Sequence, residues 1–275
     1  MRRRPKIAGA LSLLAAGAAL VAARRSSRRT SATQAGYPPF DVPKQIADDL
    51  WTVDSAPINA LGLKLPVRMT IVRLQSGDVV LHSPTRHTRP LAEAIEHLGP
   101  VRHLIAPSFA HWTFVEAWQH AVPQATTWAV AGLRDRRQVR KSGLRIDRVL
   151  GESEPEPWAK EVEQGIIEGG GGFSEAWFFH RASRTLLLTD LIDNMDPAKL
   201  PPLTRVAMKL ARATSGTTPY HVRAALLFKR EQNRDALRGL VRLDPERVVF
   251  AHGEWFERDG GRRLRKALNW LIRDG

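Results

Sequence analysis

Apolar side chains along this 275-residue chain fall into short blocks, and the spacing within each block predicts an element. Residues 70–74 and 79–82 are β-type runs parted by Gln75-Ser-Gly-Asp78, which predicts a hairpin ended by Ser83-Pro84-Thr85. Apolar residues at 91, 92, 94, 95 and 98 trace a helix face. Residues 103–106 read as a short buried strand closed by Pro107, after which Trp112, Val115, Trp118 and Val122 return to helical spacing. Residues 126–130 are strand-like, and 133–141 form a basic helix or loop. An acidic, Pro-containing loop at 151–158 precedes the apolar run 162–167. Residues 176–179 and 185–188, joined by His180-Arg-Ala-Ser-Arg184, predict a second hairpin. Residues 196–220 are interrupted by prolines and hold a basic amphipathic stretch near 206–211. A helix at 230–243, a strand at 248–251 and a closing helix at 264–272 complete the pattern. Strand–helix alternation with two hairpins and no internal repeat predicts an α/β sandwich in one domain.

Three of these strands run into a side chain that can bind a metal or carry a proton. The run 185–188 leads to Asp190, the run 103–106 to His111, and the run 248–251 to His252. In layered α/β proteins, loops at strand ends aim side chains into a shared crevice. Asp190, His111 and His252 are therefore the candidate catalytic and metal-binding residues. Asn194 and Glu254 follow two of these motifs closely and are candidates for supporting the ligands. Ser108 precedes His111 by three residues, but no Gly-x-Ser-x-Gly elbow surrounds it, so a nucleophilic serine is disfavoured. The run Gly169–Gly172 permits close backbone approach or simple flexibility, and flexibility is the favoured reading. No Lys-Ser/Thr follows it, which argues against a nucleotide site. His103 and His180 read as structural or exposed, and Trp112, Trp118, Trp177 and Phe178 as core.

Composition narrows the chemistry. Hydrophobic residues make up 43% and charged residues 25%, ordinary values for a globular protein. The absence of cysteine excludes disulfides, a Cys-rich zinc site and a thiol nucleophile. Net charge is +14, yet residues 1–34 supply eight basic side chains and no acid. The rest of the chain carries 34 basic and 28 acidic side chains, so the basicity belongs largely to the leader and is no nucleic-acid signature.

Residues 7–23 are an uncharged, Ala- and Leu-rich run. As a helix it would span roughly 25 Å, near the lower limit for crossing a bilayer. An uncleaved membrane anchor, a cleaved secretory signal and a surface-lying helix all suit it. The pairs Arg24-Arg25 and Arg28-Arg29 favour the anchor, because basic residues resist translocation. The expected organisation is a leader at 1–34, a linker at 35–47 and one domain at 48–275, with membrane association through residues 7–23.

The order of elements and site residues resembles the metallo-β-lactamase superfamily over about residues 48–272, and looks closest to an uncharacterised branch, a domain of unknown function. The resemblance implies a four-layer αββα sandwich with its site at one edge of two sheets. The superfamily's first motif, His-x-His-x-Asp-His, falls on residues 106–111, where only His111 survives; Ala106, Ser108 and Ala110 stand at the other ligand positions. The next histidine falls in 171–174 and is missing. Asp190 matches the bridging aspartate, and His252 in His252-Gly253 matches the last histidine. One of the superfamily's two metal sites should thus be lost, while His111, Asp190 and His252 remain for a single zinc, iron or manganese ion. His82 lies near the implied substrate crevice and is a candidate for orienting a ligand.

Two functional readings stay open, beside a third, less favoured one of a membrane-surface scaffold using its basic face. One is a divergent hydrolase acting through that residual metal on an ester-like substrate; a metal-free variant would use His111 or His252 as general base with Asp190 orienting it. The other is a non-catalytic module that binds a small molecule or protein in the old crevice. Residues 193–220 are read as a lid over it.

Overall fold

The computed structural model describes residues 36–152 and 156–273. The expected anchor at 7–23 lies outside them. Among the described residues, no helix is long and apolar enough to cross a membrane.

The first half of the chain builds β1 (Lys44–Ala47), β2 (Leu50–Ala60), β3 (Leu63–Arg73), β4 (Val79–His82), α1 (Arg89–Glu96), β5 (Val101–Ala106), α2 (Val115–Ala121), β6 (Thr126–Ala129), α3 (Arg137–Arg140) and β7 (Arg148–Val149). These strands form one seven-stranded sheet in sequence order. The second half builds β8 (Val162–Glu168), β9 (Ser174–His180), β10 (Thr185–Leu187), α4 (Pro202–Leu210), α5 (Tyr220–Leu226), α6 (Arg230–Arg242), β11 (Arg247–Val249) and α7 (Gly260–Ile272). Its four strands form a second sheet in the order β11-β10-β9-β8.

The second sheet is buried on both faces, and its period-two pattern shows how. Ala176, Phe178, Leu187 and Val249 join a core shared with the first sheet and with Leu91, Ile95, Val115 and Trp118 of α1 and α2. Their strand neighbours Phe179, Leu186, Leu188 and Val248 point the other way, onto Val222, Leu237, Leu240, Leu264 and Leu268 of α5, α6 and α7. Helices, sheet, sheet and helices thus stack as a four-layer αββα sandwich. Strands β4 and β5 are parallel, as are β10 and β11, so the strand ends at residues 82, 106, 187 and 249 are where both sheets release their loops.

The linker expected at 35–47 is partly built into the fold. β1 pairs antiparallel with β2, and the Tyr37 hydroxyl accepts the Asp196 N–H at 2.9 Å. The first hairpin is also longer than its apolar run suggests. β2 and the first half of β3 carry Asp54, Pro57, Pro66 and Arg68, residues that argue against a strand when read singly. The register sets Asp54 opposite Arg68, where they form a buried ion pair at 2.7 Å, and Pro57 falls at a register shift between Ser55 and Ile58. Gly169 and Gly170 are points of close backbone approach, while Gly171 faces open space. A side chain on Gly170 would overlap the Phe228 ring, and one on Gly169 would meet the Ala225 carbonyl at 2.8 Å.

Two strand-end loops of the second sheet are clasped together. Asn194 N–H donates to the His252 carbonyl at 3.2 Å, and Glu254 N–H donates to the Asn194 carbonyl at 2.9 Å. Gly253 lies between them with φ +100°, and a Cβ there would overlap the backbone of Asn194. Gly253→Ala is expected to lower stability by about 2 kcal/mol or more, combining a disfavoured φ with a backbone clash. The shift of the urea midpoint at unchanged slope checks this.

Candidate metal centre at the strand ends

The structure brings His111, Asp190 and His252 together. One ligand atom from each lies within 4.8 Å of the others, although the residues span 141 positions of sequence. His111 Nε2 is 3.2 Å and His252 Nε2 3.3 Å from the same oxygen, Asp190 Oδ1. The outer nitrogen of each ring is held as well. His252 Nδ1 donates to the Pro66 carbonyl at 2.7 Å, and His111 Nδ1 is 2.7 Å from the Ser83 hydroxyl. A ring whose Nδ1–H is committed to a carbonyl presents Nε2 inward, as a lone pair when neutral and as a donor when protonated.

Each ligand is placed by a local constraint. His252 is braced by β3: Arg68 Nη1 donates to the Phe250 and Gly253 carbonyls at 3.0 and 2.7 Å, while Pro66 takes the ring. Arg68 can lie buried there because Asp54 neutralises it. His111 is braced by Ser83, which leaves β4 in the left-handed region at φ +55°. That conformation is costly for a residue with a side chain and is held by its surroundings at a functional edge. Its hydroxyl can donate to or accept from His111 Nδ1, so it suits either tautomer.

Asp190 is set by Glu175, a residue that the apolar pattern of β9 hides. Glu175 is fully buried, and its two oxygens accept the N–H groups of Thr189, Asp190 and Leu191 at 2.7, 2.8 and 2.9 Å. Beyond Leu188 the chain leaves the ladder, and without Glu175 those donors would be orphaned inside the protein. Burial, and after it the charge on Asp190, push Glu175 up to about 7 against these donors.

The electrostatics make the cluster an ion pair. Burial works against charge on Asp190, but His111 and His252 outweigh it and hold the carboxyl well below its usual range. Burial would likewise lower His252; its hydrogen bond to Asp190, the charges of Asp193 and Asp190 and the Pro66 carbonyl instead raise it to about 9. Asp193 is buried, and its own pKa is pushed well up by burial. Burial lowers His221, on the first turn of α5, and the charges of Asp190 and His252 reach it. Sequence reading passed over Glu175, Ser83, Asp193 and His221. Only Asp193 carried a signal, its place three residues after Asp190.

The remaining sequence candidates take supporting or structural places. Ser108 is buried; its hydroxyl donates to Asp190 Oδ2 at 3.4 Å and accepts the Ala110 and His111 N–H groups at 3.3 Å. It positions two ligands and is not set up as a nucleophile. His82 is buried with its edge toward Phe178, and burial with the nearby His111 lowers it to about 3, so it is a neutral core residue and not one facing a crevice. Asn194 and Glu254 clasp the loops through the Asn194 Nδ2 bond to the Glu254 carbonyl at 2.8 Å, and neither side chain bonds to the side chains of His111, Asp190 or His252. The Glu254 carboxylate takes Lys199 at 3.0 Å and lines a separate cleft of about 690 Å³ with Arg68, Trp255 and Arg258. The segment expected as a lid carries α4, and its far end is tied back beside the site where Asp193 and Thr217 pair.

The donor set fits a divalent metal. Two imidazoles and a carboxylate converge on one point, each ring is held by an outer hydrogen bond, and three protein ligands leave a position open.

A family model described as "Domain of unknown function (DUF4336)" matches residues 47–237. No curated protein matches the sequence. Among solved structures, a metallo-β-lactamase from Pontibacter korlensis is similar over 84% of this chain and 99% of its own, with 13% identity and a TM-score of 0.54. One from Hirschia baltica shares 15% identity over 85% of this chain and 98% of its own, with a TM-score of 0.54. One from Erythrobacter litoralis shares 14% over 83% and 96%, with a TM-score of 0.56. At such identity the likeness establishes the fold.

Removing Glu175 should unseat Asp190. Glu175→Ala leaves three buried N–H groups unpaired and is expected to cost about 3 kcal/mol or more. Glu175→Gln should be nearly as damaging, because its amide nitrogen aims a donor at donors. Chemical denaturation of both variants measures this, and a Gln variant as stable as the parent would contradict the assignment.

Proposed function

We propose, for a chain that belongs to the DUF4336 family and carries a divergent metallo-β-lactamase fold, that it is a hydrolase working through one metal held by His111, Asp190 and His252. The observation that supports this reading is the convergence of two Nε2 atoms on one carboxylate oxygen, with each imidazole fixed from behind. A metal bound there supplies a Lewis acid and lowers the pKa of a bound water toward neutrality, the chemistry needed to attack an ester-like or phosphoester bond. The chain's own residues do the rest. Pro66 and Ser83 orient the rings, Glu175 and Ser108 orient the aspartate, and Asp190 spreads one negative charge between two imidazoles. His221 stands on the adjacent helix, where it can contact a bound substrate. Zinc, iron and manganese all accept such a donor set.

One observation favours a second reading, a binding module that has given up catalysis. The three residues also satisfy one another directly, Asp190 Oδ1 taking both imidazoles. Such a cluster can persist as a structural ion pair. Metal content separates the two readings. The purified protein is expected to hold about one metal per chain, the His111→Ala/His252→Ala variant none, and turnover on a panel of esters, lactams and phosphoesters should vanish with it. Protein that stays folded, ignores all three metals and turns over nothing on the panel would favour the binding module.

The pH dependence of metal binding gives an independent check. The metal-free site keeps a proton on His252 up to about pH 9. A metal must displace that proton, so apparent affinity should rise about tenfold per pH unit below that value and level off above it. A flat titration from pH 6.5 to about 9 would mean that metal binding displaces no proton from His252 in that range.

A further inference from the structure

The exposed large hydrophobic side chains are unevenly placed. Of eight among the described residues, six fall in one stretch: Leu203, Val206, Leu210, Tyr220, Leu227 and Phe228. The same stretch, residues 197–230, contains seven basic side chains and no acidic one. Elsewhere in the folded part the two signs are interspersed. Lys199 and Lys229 answer Glu254 and Glu168, which leaves Lys209 and Arg212 as the cations beside the apolar side chains of α4. Exposed apolar side chains scattered singly need no explanation, but a helical stripe bordered by such cations does.

Helix α4 shows the arrangement most clearly. Leu203, Val206 and Leu210 recur at helical spacing and are 58%, 57% and 74% exposed. Its other side is the seated one: Thr204 is buried and accepts the Lys64 N–H at 3.1 Å, and Met208 packs with Leu65 and Leu200. The bond to Lys64 sets the tip of the β2–β3 hairpin, with Leu61 at 73% exposure, beside the first turn of α4. At the other end, Tyr220 N–H donates to the Ala211 carbonyl at 3.0 Å, and the Arg212 guanidinium lies 5.9 Å from the Tyr220 ring. The apolar stripe is therefore continued at both ends and bordered by Lys209 and Arg212. Lys209 has no acidic partner among the described residues.

The start of the described chain lies on the same side. Asp196 N–H donates to the Tyr37 hydroxyl at 2.9 Å, and Lys199 Nζ sits 4.2 Å from the centre of the Tyr37 ring. Gly36 and Tyr37 are thus docked on the turn that leads into α4. The 35 residues attached there carry eight basic side chains, no acid and the uncharged run 7–23.

We propose that α4, the tip of the β2–β3 hairpin and the start of α5 form a docking face for an anionic lipid bilayer. Leucine and valine side chains enter the headgroup boundary, and Lys209, Arg212 and Arg223 meet lipid phosphates. An amphipathic helix lying flat with cations on its margins is the form such binding takes. The margin of α4 itself carries only Lys209 and Arg212, since the acids nearby are taken up by Lys199 and Lys229, and a purely cationic margin beside an apolar stripe complements an anionic lipid surface. The face joins the site: Asp193, three residues after Asp190, pairs with Thr217 between α4 and α5. Docking would hold the metal cluster and His221 next to the membrane.

The absence of cysteine makes the test direct. Single-cysteine variants Val206→Cys, Leu210→Cys and, on the exposed side of α1, Glu96→Cys carry a nitroxide in the full chain. Collision with oxygen and with an aqueous nickel chelate is then measured on vesicles of phosphatidylcholine with and without phosphatidylglycerol. On the anionic vesicles, nickel accessibility at 206 and 210 is expected to fall severalfold while oxygen accessibility rises, with no change at 96. Lys209→Glu/Arg212→Glu should weaken that protection at low salt, and the difference from the parent should shrink at high salt. The proposal is overturned by labels at 206 and 210 that stay as open as 96 although the protein sediments with the vesicles, which would leave residues 1–35 as the sole attachment. It is equally overturned by failure to bind vesicles, by equal protection on uncharged vesicles, or by protection without vesicles that grows with protein concentration, which would mean a second copy covers the face.

Discussion

A buried carboxylate that accepts the backbone N–H groups around Asp190 holds the centre together. Where β10 gives out, three successive backbone N–H groups turn inward, and Glu175 accepts all three. That bonding lets the chain leave the ladder without stranding buried donors, and it throws the Asp190 side chain toward the histidines. The arrangement sets two acids close together in a poorly solvated place. The imidazoles offset this by keeping Asp190 ionised, and Asp190 in turn keeps His252 protonated in the metal-free site. Each charge is tolerable only because of its neighbour.

The same economy runs through the backbone. The buried Arg68 answers Asp54 across β2 and β3 and also spans two carbonyls on either side of His252. The Pro66 carbonyl, from the same strand, fixes the ring. A strand of the first sheet therefore sets the geometry of a loop from the second, and the centre is a joint between sheets. Relative to the superfamily motif, the positions at Ala106, Ser108 and Ala110 have lost their ligands, and Ser108 now bonds what remains. The three residues that remain converge on one point and could hold a single ion.

The segment that follows Asp190 carries a second character. It begins in the site, pairs back on itself through Asp193 and Thr217, and between these points exposes Leu203, Val206 and Leu210 on α4 beside Lys209 and Arg212. A loop of that length inserted into a compact sandwich commonly carries function. Here its two ends tie the surface to the centre, so whatever meets α4 is also near the ligands.

Most of the element order and the three residues that converge were legible from sequence alone. Buried strands are short apolar runs, and a histidine or aspartate just past such a run is conspicuous; His111, Asp190 and His252 stand out for that reason. β1, β2 and the start of β3 were not legible, because Asp54, Pro57, Pro66 and Arg68 break the apolar pattern and become intelligible only when the register sets acid opposite base and a proline at a bulge. The run Gly169–Gly172 looked slack because nothing local shows that Phe228 and Ala225 lie against it. Ser83 and Glu175 gave no signal, since a serine after a strand and a lone acid within one are common. Local period and residue type determine which segments become strands and which side chains could serve as ligands, because those depend on the chain's own geometry. Which side chains meet, which charge is paired and which imidazole keeps its proton depend on groups far apart in sequence, and only the packing of two sheets brings those within a hydrogen bond of each other.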